Sequence, residues 1–137
     1  MVSFTYPGSS DRFIIILKEK GGEMAVTRQP PLSVVVDPLQ KVRLEEPCLL
    51  TGKITSVTMH FPDGCDGLVH IAFGHNNTWL FPSLPETYIS LDGATPTFPC
   101  DEEVGVGDYV WAIIVNGDGV NPHAVSVLPT LQGEEQK

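Results

Sequence analysis

The feature that most limits how this chain can fold is its punctuation. Short runs rich in β-branched and aromatic residues recur along it, and proline, glycine, asparagine or aspartate follows most of them. "LSVVV" (32–36), "LLTGKITSVTMHF" (49–61), "GLVHIAFG" (67–74), "TWLF" (78–81), "TYISL" (87–91), "YVWAIIVN" (109–116) and "HAVSVL" (123–128) have strand composition and alternate. Val57, Met59 and Phe61 share one face of the second run, and Val69, Ile71 and Phe73 one face of the third. Trp111, Ile113 and Val115 do so in the sixth, and all nine are expected in the core. Phe-Pro pairs at 61–62, 81–82 and 98–99 are expected to end strands, because proline cannot donate to a ladder. With twelve prolines and thirteen glycines in 137 residues, no stretch keeps a helical period beyond two turns.

Seven or eight short strands at this spacing predict an all-β chain, an antiparallel β-sandwich of jelly-roll or Greek-key type. Its body is expected over 32–129, behind an N-terminal arm (1–31) and ahead of a polar tail (130–137). Two readings of residues 1–23 stand open. "KEKGGEM" (18–24) back-translates to a purine-rich, ribosome-binding type of tract just ahead of Met24, so 1–23 could extend the reading frame upstream of a native start. The rival is an ordered arm that pairs with another subunit.

Charge is partitioned along the chain. Residues 1–53 hold seven of the eight Lys and Arg against six acids, whereas 54–136 hold eleven acids and no Lys or Arg. Such a body repels phosphate backbones, so nucleic acid is excluded as the expected partner. No run reaches the roughly 18 apolar residues of a membrane span, and no basic leader precedes Phe13–Leu17, so neither a membrane nor a secretion signal is expected. Arg28, Lys41, Arg43 and Lys53 are the candidate assembly residues, carried by one copy onto the acidic body of the next. Cys48, Cys65 and Cys100, an odd count without C-x-x-C spacing, predict free thiols rather than a disulfide framework or a zinc ribbon.

"HFPDGCDGLVH" (60–70) concentrates metal-ligand chemistry. A hairpin centred near Cys65 would set His60 and His70 across from each other on the face away from the core. No third ligand is fixed by spacing, and Asp-Gly pairs are turn chemistry, so a turn without metal is expected. "NGDGVN" (116–121) and "PDGCDG" (62–67) offer oxygens from Asp118, Asn116, Asp63 and Asp66, without the spacing of a calcium-binding EF-hand. His60, His70 and Asp118 are thus the metal candidates of a chain expected to hold no cofactor. "CDEEVGVGD" (100–108) is expected to be a solvated acidic loop. No nucleophile elbow, phosphate loop or zinc-protease motif occurs, which predicts a protein that is not an enzyme. Trp79 and Tyr88 are the candidate binding residues if the sandwich presents aromatic platforms to sugars.

Two resemblances follow from these stretches. "VGVGDYVWAIIVNGDGVNPHAVSV" (104–127) resembles the strand-turn-strand of cupredoxins that carries their first copper-ligand histidine, which would place a ligand at His123. The fourteen residues after His123 contain no Cys, His or Met to complete such a site, so shared sandwich grammar is the better explanation. About residues 50–128, from "TGKITSVTMHFPDGCDGLVHIAFG" through "PETYISLDGATPTFP" to "VGVGDYVWAIIVNGDGVNPHAVSV", resemble small jelly-roll virion proteins of phages or archaeal viruses. That resemblance implies a non-catalytic decoration, turret or minor capsid component. Such a protein is made in the host cytoplasm, forms homo-oligomers and attaches to other capsid proteins.

Overall fold

The computed structural model describes the backbone of residues 2–4, 12–20 and 23–135, and the side chains of 26–133. Among these residues the chain is all-β, two antiparallel sheets packed as a sandwich. In chain order the strands are β1 (Val2–Phe4), β2 (Arg12–Lys20), β3 (Glu23–Gln29), β4 (Leu32–Val36), β5 (Lys41–Pro47) and β6 (Leu50–His60). They continue with β7 (Val69–His75), β8 (Thr78–Phe81), β9 (Ile89–Ser90), β10 (Thr97–Val104), β11 (Tyr109–Asn116) and β12 (His123–Glu135). The first sheet runs β1-β2-β3-β12-β6-β10, with β4 also on β12; the second runs β5-β11-β7-β8, with β9 also on β7.

Alternation explains which faces meet. Ile54, Val57, Met59, Val69, Ile71 and Phe73 turn inward and are buried with Phe61 between the sheets. On β11 the expected phase is reversed. Val110, Ala112 and Ile114 enter the inter-sheet core, while Trp111, Ile113 and Val115 lie on the outer face of the second sheet. Trp111 is nevertheless only 1% exposed, because that face carries its own apolar cluster; Val115 is half-buried. Both sides of β11 are apolar, so hydrophobicity alone did not distinguish its faces.

Besides β1, β2 and β3 in the expected arm, two strands within the expected body are absent from the sequence reading. "KVRLEEP" forms β5, with Val42, Leu44 and Glu46 half-buried and its other residues exposed. "TFPCDEEV", expected as a strand stop followed by a solvated loop, forms β10 instead. Phe98, Cys100, Glu102 and Val104 turn inward while Thr97, Pro99, Asp101 and Glu103 face solvent. Pro99 is tolerated because β10 is an edge strand, and its register on β6 shifts between Pro99 and Glu102.

The register of β12 joins the arm to the body. β3 and β4 lie along the same side of β12 in one continuous antiparallel register, from Ala25 opposite Glu134 to Val36 opposite His123. Pro30 and Pro31, which lack N–H groups, separate the two pieces. β12 runs on to Glu135, past the Pro129 at which the sequence reading ends the body, and buries Leu131. The backbones of β1 and β2 extend the sheet beyond β3. The expectations for Phe13–Leu17 and a start at Met24 concern residues whose side chains lie outside those described.

Candidate functional site

The strands run between two poles, and the polar side chains gather there. At one pole lie residues 37–40, 61–68, 91–96 and 117–122, which connect the strand ends on that side. Residues 48–49, 76–77 and 105–108 lie at the other.

The histidine pair of the 60–70 segment does not form. β6 and β7 belong to different sheets, so the segment between them is an arch from one sheet to the other rather than a hairpin. His60 faces outward from the first sheet and bonds Thr95 Oγ1 through Nδ1 at 3.0 Å. His70 faces outward from the second, against Ser90 and the Tyr88 ring. With a core about 10 Å thick between the sheets, the two rings cannot share an ion. Asp66, Gly64 and Gly67 take positive φ in the arch, as Asp-Gly turns require. Cys65 is buried, its Sγ donating to Leu91 O.

Asp118 organises the 116–123 turn. It accepts bonds from the backbone N–H groups of Val120 (2.8 Å) and Asn121 (3.2 Å), from Asn121 Nδ2, and from His123 Nε2 at 3.0 Å. The Val120 N–H first, then His123 and Asn121, lower its pKa from the ordinary 3.8 to about 2. Asn116, buried at the end of β11, receives Asp118 N–H on Oδ1 and donates to the carbonyls of Val36 and Asn121. The Asp118 and Asn116 oxygens offered as calcium ligands are therefore taken up by N–H donors, while Asp63 and Asp66 are exposed in the arch. Among the described residues no three His, Cys, Asp or Glu side chains form a group that could hold a metal ion.

At the opposite pole the structure assembles a cluster that sequence reasoning missed. His75, 8% exposed at the end of β7, lies between two carboxylates: Nδ1 is 2.9 Å from Glu102 Oε2, and Nε2 is 2.9 Å from Asp108 Oδ2. Asp108 also accepts the Gly105 N–H at 2.9 Å; that bond first, and His75 second, hold its carboxyl below the usual range. The cluster ties the second sheet to β10 of the first. Alternation carried the signal: His75 continues the inward face of Val69, Ile71 and Phe73, as Glu102 continues that of Phe98 and Cys100.

The aromatic candidates form the outer cluster of the second sheet. Gly74 lets the Trp111 ring lie on the sheet; a Cβ there would sit 2.1 Å from the ring. Trp111 Nε1 donates to Asn76 O at 2.7 Å, and the Arg43 guanidinium lies 4.8 Å above the ring, itself paired with Glu45 at 2.9 Å. Trp79 packs edge-on against Trp111 (73° between planes) and against Tyr88 (75°). Perpendicular rings, one of them covered, make a packed cluster rather than a flat platform for a sugar.

The assembly candidates separate. Arg28 is 1% exposed on β3, which corrects its expected place on a contact surface. Lys53 is paired with Asp101 at 3.0 Å across β6 and β10, which raises its pKa, and Arg43 is paired with Glu45. Among the residues whose side chains are described, Lys41 is the cation left exposed without an ion pair. Cys65 and Cys100 are free thiols, Cys48 is buried, and burial raises the pKa of Cys100.

The sequence matches no known family model, and no curated protein matches it significantly.

Proposed function

We propose that this chain is a jelly-roll structural component of a viral particle, acting through self-association rather than chemistry. The jelly-roll reading draws on strand order. β4-β12-β6-β10 in one sheet faces β5-β11-β7-β8 in the other, and β4 pairs β12, β5 pairs β11, β6 pairs β10 and β7 pairs β8. Such nesting results when one long antiparallel hairpin is rolled up, an architecture that viral capsid domains share with lectins and cupins. Fold alone does not decide among these.

One observation carries the assembly reading, the uncharged strand β4. Its sequence is "LSVVV", and Val35 is 63% exposed. Beyond its pairing with β12, no described strand covers its other side. Neighbouring β5 is blunted by Lys41, Arg43 and Glu45, but β4 has no such protection. A second copy laid along this flank covers the edge, with Lys41 reaching the acidic body of its neighbour. Contacts of this head-to-tail kind close into rings. Sedimentation velocity across a salt series tests the reading. Oligomers are expected at low salt and should weaken as screening grows, and Lys41→Glu should weaken them further. A monomer under every condition would contradict it.

A further inference from the structure

A second surface faces a different kind of partner. Pro38 and Leu39 occupy the centre of a turn closed by the Gln40 N–H bond to Asp37 O at 3.1 Å. Leu39 has φ +60°, so the turn is of type II, whose third position favours glycine or asparagine. A leucine held there is strained, because its Cβ crowds the following carbonyl oxygen. Burial gives no compensation, since Leu39 is 70% exposed. Neither local conformation nor the core accounts for a leucine at this position.

The surroundings supply a reason. Leu39 N–H donates to Asp118 O at 3.1 Å, which places this turn beside the one bearing Val120, 79% exposed. Gly117 N–H donates to Leu68 O at 2.8 Å, and Cys65 Sγ to Leu91 O, which bring exposed Leu68 and Leu91 to the same pole. Four loops thus each present an aliphatic side chain at one end of the sandwich. Their hydrogen bonds fix the backbone in advance, which reduces the entropy lost on binding.

Charge selects the occupant. Asp37, Asp63, Asp66 and Asp92 are exposed in the same loops, which contain no Lys or Arg. Anionic lipid and nucleic acid are repelled by such a rim, and a basic rim on a partner is attracted. We infer that this pole docks a different protein, through a surface on which Lys or Arg side chains surround an apolar patch. The inference rests on the assembly reading and adds to it the contact by which the ring is anchored.

The test uses the full chain and maps amide chemical shifts during titration. Its probes are a Leu/Lys amphipathic helical peptide, the Leu/Glu counterpart, and phosphatidylserine-containing vesicles. The Leu/Lys peptide should shift the amides of Leu39, Leu68 and Val120. Leu39→Asn combined with Val120→Ser should weaken that binding about tenfold, a loss of about 1.4 kcal/mol. Asparagine tolerates the left-handed turn, so this variant should keep its Tm and its sedimentation profile; the β4 contact is thereby scored separately. Shifts spread over the acidic body, binding indifferent to the double variant, equal binding of the Leu/Glu peptide, or vesicle binding would each overturn the inference. So would concentration-dependent shifts at the pole without peptide, which would assign it to a second copy.

Discussion

Gly74 and Trp111 show how one residue constrains a whole sheet face. The indole lies where a Cβ on residue 74 would be, and Arg43 closes over it. Gly74→Ala should therefore destabilise the protein by about 1–3 kcal/mol, read from urea unfolding, since the clash involves a ring fixed on several sides. Asp118 gives a pH dependence of definite sign. Its folded pKa of about 2 lies below the ordinary 3.8, so its stabilising contribution is complete above about pH 5 and is lost as pH falls toward 2. Asp118→Asn should flatten part of the acid limb of a stability–pH curve, with Asp108, shifted the same way, responsible for some of the remainder. A curve of unchanged slope would remove the turn from the account. The free thiols of Cys65 and Cys100 were legible in cysteine spacing, but the His75–Glu102–Asp108 cluster was not. His75 lies 27 and 33 residues before the two carboxylates, and only the fold brings it to them.

Among the elements, strands with one apolar face were legible and strands with charged faces were not. β6 and β7 show a period-two pattern in hydrophobicity, and their inner residues were identified correctly. β10 has the same period, hidden by Pro99 and three consecutive acids whose middle member, Glu102, points inward. The histidine pair failed at this scale too, because alternation gives a side chain's face but not the sheet its strand joins. The long β6–β12 pairing contains a point of very close approach. Gly52 lies opposite Gly133, and a Cβ on Gly52 would sit 2.0 Å from Gln132 O. Gly52→Val should part the strands locally. Hydrogen exchange at residues 50–54 and 130–133 should accelerate while β7 and β11 remain protected. Uniform loss of protection would mean that this end of the sandwich does not open by itself.

For the whole molecule, the sandwich and its antiparallel pairing followed from punctuation and alternation, whereas the partnership of β3 and β4 on β12 did not. That partnership depends on Pro30 and Pro31 interrupting one extended segment without changing its register, which local sequence cannot reveal. Among the described residues it also leaves the other flank of the uncharged β4 without a paired strand, and the proposed assembly depends on that edge. Sedimentation velocity of the wild type beside Val35→Lys, over a range of protein concentrations, tests the claim most directly. Lysine at an exposed edge position blunts strand addition and should change folding stability by no more than about 0.5 kcal/mol. The account requires concentration-dependent oligomers for the wild type and a folded monomer for Val35→Lys; oligomers of equal strength in both, or a wild type that stays monomeric throughout, would contradict it.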